Sequence, residues 1–85
     1  MNKLVTDVNM GTNLRNLRKQ NNYTQDQVVA LLAHWGVTTT RSLYSRLETG
    51  ELNIPISVLI ALRTIYHCSY EDFFQGLQIQ KDTEA

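Results

Sequence analysis

The chain has 85 residues with eight basic and eight acidic side chains, so its formal net charge is zero, and 42% of it is hydrophobic against 19% charged. That length supports one small core and little beyond it, the composition is ordinary for a globular domain, and no apolar run approaches the length of a bilayer span. Zero net charge argues against a purely electrostatic nucleic-acid binder, and the single cysteine, Cys68, excludes an internal disulfide and suits a reducing compartment.

Residues 1–9 show no clear period and read as a flexible lead, in which Leu4, Val5 and Val8 could make a short strand or an extra turn. The lead lacks the apolar stretch of a signal peptide, so a cytoplasmic location is expected. Met10, Leu14 and Leu17 stand four and three apart, the buried stripe of a first helix that ends in the polar turn at residues 20–22, with Tyr23 as a core plug. Thr24 precedes Gln27 by three, the spacing at which side chain and backbone cap each other, so a second helix starts near Gln25. Val28, Val29 and Leu32 form its apolar stripe, Leu31 and Trp35 a neighbouring pair, and Gly36 stops it.

Thr38, Thr39 and Thr40 carry hydroxyls suited to capping a third helix over residues 41–49, with Gly50 after it. At about 100° per residue, Tyr44 and Leu47 face one way and Ser42, Ser45, Arg46 and Thr49 the other, with Arg41 at the N-terminal tip. A short helix presenting Arg and small hydroxyls suits a groove reader, because a bulkier polar face would not fit the groove floor. A plain solvated face is the alternative. Leu43 lies between the two faces, placed either to touch a thymine methyl or to cover the long turn.

Residues 51–53 read as a loop and Pro55 as the first turn of a fourth helix, whose buried side is Val58, Leu59, Leu62, Ile65 and Tyr66. His67 and Cys68 fall in the next connection. Ser69 with Asp72 three residues on caps a fifth helix from Tyr70. Phe73 and Phe74 point about 100° apart, so both cannot enter one small core, and Phe74 is the one left for a partner. The tail at 78–85 is polar. No catalytic constellation emerges: Cys68, His34 and His67 lack zinc-site spacing, so no enzyme activity, metal, cofactor or small-molecule ligand is expected. Cys68 reads as a small hydrophobe, and His34 with Trp35 as core or lid packing in preference to an aromatic platform.

The charge is uneven along the chain. Residues 11–50 hold Arg15, Arg18, Lys19, Arg41 and Arg46 against Asp26 and Glu48, a balance of +3, whereas residues 51–85 hold Arg63 and Lys81 against Glu51, Glu71, Asp72, Asp82 and Glu84, a balance of −3. A basic half and an acidic half fit one binding face and one solvent or partner face.

Thr24-Gln25, then Ser45-Arg46-Leu47-Glu48 with Gly50 after, resembles the helix-turn-helix of the Cro, lambda-type repressor and XRE family. The likeness extends outward over about 65 residues, through Gly11, Leu14, Leu17 and Arg18 on one side and Ile54, Pro55, Leu59, Leu62, Tyr66 and Phe73 on the other. It departs in one place, a segment between Leu32 and Arg41 about five residues longer than in the commonest members. The resemblance implies an all-α five-helix bundle, a lambda repressor-like helix-turn-helix domain over residues 10–77 with a lengthened turn between helices two and three. It also implies that Arg18 and Glu48 form an ion pair partly closed off from water. The function implied is a sequence-specific, DNA-binding transcriptional regulator, read as a repressor. In that reading Arg41, Ser42 and Arg46 approach base edges, with Ser45 on the same face, and Gln25, Thr40 and Asn53 hold phosphates. One module covers only a half-site, so a homodimer is expected, with Phe73, Phe74 and Leu77 as its surface. The competing reading is a protein-interaction module on the same fold, such as an antitoxin or anti-repressor. The DNA reading asks that the guanidinium groups of Arg41 and Arg46 stand outward and unengaged by carboxylates of the same molecule.

Overall fold

The computed structural model describes residues 10–77, so the expected lead at 1–9 and tail at 78–85 lie outside the described residues. Within them are five helices and no strand: α1 (Gly11–Gln20), α2 (Gln25–His34), α3 (Arg41–Thr49), α4 (Ile56–Ile65) and α5 (Tyr70–Phe74). The helix boundaries follow from local chemistry. Thr24 accepts the Gln27 backbone N–H at 3.1 Å while the Gln27 side chain accepts the Thr24 N–H at 2.8 Å, a reciprocal cap that starts α2. Thr40 accepts the Leu43 N–H at 3.1 Å and starts α3. The Ser69 N–H donates to the Asp72 carboxylate at 2.9 Å ahead of α5. Pro55 stands just before α4 as its N-cap, in extended conformation, and the helix proper opens at Ile56; the expectation of Pro55 inside the first turn is displaced by one residue.

The lengthened turn is absorbed at its two ends. Gly36 has φ +84°, a conformation a side chain resists, and folds the chain back so that its own N–H reaches Ala33 O and the Val37 N–H reaches Leu32 O, both at 2.9 Å. Val37 then packs against the core, and the following threonines run to the Thr40 cap. This geometry leaves Trp35 pointing away. It is 54% exposed, in edge contact with the neighbouring His34 ring, and the expectation that the two would pack as core or lid is corrected: Val37 fills the role instead.

Leu14, Val28, Leu32, Tyr44, Leu62 and Phe73 are fully buried and come from all five helices. Each such side chain stabilises the fold by roughly 1.5–3 kcal/mol through burial. α1 packs on α3 and α5, and α2 on α3 and α4, so α3 is backed by two helices while its other side stays open. Gly11 makes the α1–α3 contact close: a Cβ there would collide with the backbone carbonyls of Leu47 and Glu48. Two asparagines tie the helix ends together. Asn13 Nδ2 donates to Phe73 O at 2.8 Å and Gln75 O at 3.0 Å, and Asn21 Nδ2 donates to Leu17 O at 2.8 Å and Tyr66 O at 3.1 Å. Phe73 is therefore a core residue and leaves the expected dimer surface; Phe74, one step round the helix, is 51% exposed, and Leu77 is half-buried.

Candidate nucleic-acid interface

The back of α3 is anchored by one buried carboxylate. Glu48 accepts Arg18 Nε at 2.7 Å on one oxygen and, on the other, Arg18 Nη2 at 3.0 Å and Gln25 Nε2 at 3.1 Å. Arg18 Nη1 continues to Tyr23 O at 3.0 Å, so the pair joins α1, the entry to α2 and the end of α3. The Arg18 and Glu48 side chains are only 12% and 3% exposed. Burial alone would push the Glu48 carboxyl up, but the hydrogen bonds from Arg18, Tyr44 and Gln25 outweigh it and hold the group below the usual carboxylate range. Tyr44 and Tyr66 share a hydrogen bond between their hydroxyls deeper in the core, and burial pushes both phenols well above the ordinary tyrosine value.

On the front, Gln25, Arg41, Ser42, Ser45 and Arg46 line one open depression between the start of α2 and the outer face of α3. Five of the seven residues read as DNA contacts thus meet in one place. Thr40, not among the residues lining the depression, precedes Arg41 in the chain, its oxygen capping α3 and its hydroxyl hydrogen left for another acceptor. Gln25 has one amide hydrogen committed to Glu48, which leaves its second for a phosphate. Asn53 is not brought into the depression; with Thr38, Thr39 and Leu43 it lines a separate, more apolar cleft beside the long turn and the start of α4. Leu43, on the wall of that cleft, is 43% exposed and so leaves much of its apolar surface open beside the long turn.

The requirement that both guanidinium groups be unengaged is not met. Arg46 Nε donates to Glu51 at 3.1 Å, and Arg41 Nε lies 3.9 Å from the Asp26 carboxylate. Both arginines nevertheless point outward, their side chains 49% and 68% exposed. A solvated ion pair is worth about 0–1 kcal/mol, less than a bidentate arginine–guanine contact at about 1–3 kcal/mol, so the pairs do not remove the arginines from use. Asp26 and Glu51 enter the charge balance of the sequence, but their placement beside Arg41 and Arg46 does not show there. For Glu51 a signal existed: a residue following a helix-ending glycine is folded back over the last turn, and its N–H indeed reaches Arg46 O at 2.9 Å.

Among the described residues no group of three or more potential ligands could hold a metal ion, and no helix is long and apolar enough to cross a membrane. No curated protein matches the chain in sequence. Among solved structures it is similar to the restriction-modification controller protein C.AhdI from Aeromonas hydrophila, at 25% identity and a TM-score of 0.67, over 81% of this chain and 97% of that one. The helix-turn-helix domain family matches residues 9–73. With an arginine-bearing third helix backed by two others, a buried Arg18–Glu48 tie and this match over most of its length, the chain belongs to the helix-turn-helix domain family and is a DNA-binding regulator of the XRE kind.

Proposed function

We propose that the protein is a sequence-specific transcriptional repressor that places α3 in the major groove, and that the depression shared by Gln25, Arg41, Ser42, Ser45 and Arg46 carries this reading. Arg41 and Arg46 are the base readers, since an arginine pairs two donors with the two acceptors of guanine. Ser42 and Ser45 keep the face between them low enough for the groove floor. Gln25 and Thr40, at the N-termini of α2 and α3, hold phosphates with their remaining side-chain hydrogens and backbone N–H groups. Asn53, which lines a separate cleft, takes no part in this reading. Binding, not catalysis, is the activity of this reading, carried out in the cytoplasm.

A homodimer completes the reading. Two copies would set two α3 helices about 34 Å apart, one helical turn of duplex, and the exposed Phe74 with the half-buried Leu77 supplies apolar surface away from α3. Occupancy of such a site within a promoter blocks polymerase, a role in keeping with a relative described as a controller of a restriction-modification system. Selection of bound oligonucleotides from a random pool tests the proposal. A two-fold symmetric sequence is the expected result. Arg46→Ala should flatten preference at one position of each half-site, and Gln25→Ala should weaken all sequences alike; wild-type recovery of unenriched sequences would sink the reading.

A further inference from the structure

Resting on that reading, we propose that Glu51 is a specificity residue acting through Arg46: it holds the guanidinium by its Nε edge, leaving the Nη edge for guanine, and offsets the charge that would otherwise bind any phosphate.

The geometry has two points of attachment. Gly50 takes φ +85° and turns the chain so that the Glu51 and Leu52 N–H groups both reach Arg46 O, at 2.9 and 3.2 Å. From that position the Glu51 carboxylate accepts Arg46 Nε at 3.1 Å. Glu51 is thus fastened by its backbone to the residue whose side chain it orients. No other hydrogen bond from the Arg46 guanidinium is made among the described residues, so four of its five N–H donors are uncommitted within the protein on a side chain 49% exposed. Asp26 stands in the same relation to Arg41, on Nε again but at 3.9 Å, a distance at which it offsets charge without fixing orientation.

Stability does not account for Glu51. Its side chain is 59% exposed, which makes the pair weak. It also follows a helix C-terminus, where a negative charge is disfavoured, and it lies beside an arginine of the proposed DNA face. A carboxylate there costs non-specific affinity, and what it returns is a fixed donor pair and a lower background. Background matters because a regulator competes against a vast excess of wrong sites.

The test measures binding of the full chain to its selected site and to a scrambled duplex across salt concentrations, for wild type, Glu51→Gln, Arg46→Ala and the double variant. Glu51→Gln keeps the size but replaces one acceptor oxygen with an NH2 donor and removes the charge, so the hold on Arg46 Nε loses its charge assistance. It should raise scrambled-site affinity several-fold, steepen its salt dependence by about one unit per subunit, and lower the specific-to-scrambled ratio by about tenfold. In the Arg46→Ala background the same change should have no effect on that ratio, a readout that a general charge or folding role would not produce. An unchanged ratio in Glu51→Gln, or an equal effect with and without Arg46, overturns the proposal while leaving the DNA reading in place. Loss of selectivity in the wild type itself overturns both. Helical circular dichroism across the four proteins confirms that they are folded.

Discussion

Glu48 shows most clearly how one side chain serves fold and site together. Its carboxylate binds Arg18 from α1 and Gln25 from α2, so the orientation of α3 is written in three hydrogen bonds at one point. Glu48→Ala should destabilise the protein by about 3 kcal/mol in a urea titration, because the Arg18 guanidinium is left buried without its partner. The pH dependence follows from the depressed carboxyl. Relative to an unfolded value near about 4.3, the folded group holds its proton less tightly, so its contribution is fully present above that value and is lost as pH falls through the lower folded one. Acid unfolding should therefore set in below about pH 4 and lose its dependence on this group in Glu48→Gln. At the alkaline end the sign is reversed. Tyr44 and Tyr66 have raised values, so their contribution is intact below the unfolded value near about 10 and declines as pH climbs towards the folded ones. Their tyrosinate absorbance should appear together with loss of helical signal; ionisation of both in a still-folded protein would contradict the buried pair.

Helix existence was legible because the punctuation is strong. Thr24 with Gln27, Thr40, Gly36 and Gly50 each stand where a cap or a left-handed residue is required, and α2 and α3 open and close at those positions. Less legible was the packing between elements. Gly11 reads in sequence as part of a family pattern, yet its significance is the carbonyl surface of Leu47 and Glu48 pressed against it. Gly11→Ala should cost about 1–3 kcal/mol or more, since backbone and not a flexible side chain must give way. Gly36 is the contrast: open space surrounds it and only its φ of +84° resists a side chain, so Gly36→Ala should cost about 1–2 kcal/mol. A thermal melt in which Gly11→Ala leaves the melting temperature unchanged would show that α1 and α3 are farther apart than described. Trp35 failed to pack for a reason no helical wheel contains: the turn after it is closed by Val37, two residues later.

For the molecule as a whole, zero net charge conceals a division. The arginines that line the depression lie in the basic half, and two carboxylates soften the field directly beside them. Such a protein gains little from electrostatic attraction alone, so its affinity should depend on pairing two copies on one duplex. Phe74→Ser removes an exposed ring without touching the core, in contrast to Phe73, and should leave the melting temperature nearly unchanged while shifting the proposed dimer toward monomer in sedimentation velocity. Operator affinity should fall with it. A variant that sediments as wild type would move the self-association surface elsewhere.

The helices and the outward set on α3 were determined by the sequence itself, because caps, glycines and apolar spacing act over four residues or fewer and leave their mark in the string, and the family was legible through the resemblance of its motifs. The Arg18–Glu48 pair was implied by the family resemblance, but tertiary structure alone decided that Asp26 and Glu51 stand beside Arg41 and Arg46, which of two adjacent phenylalanines is buried and how the long turn closes. Those outcomes depend on contacts between residues far apart in the chain, such as Arg41 with Asp26 or Asn13 with Phe73, and on space left by neighbouring helices, neither of which has a local period to read.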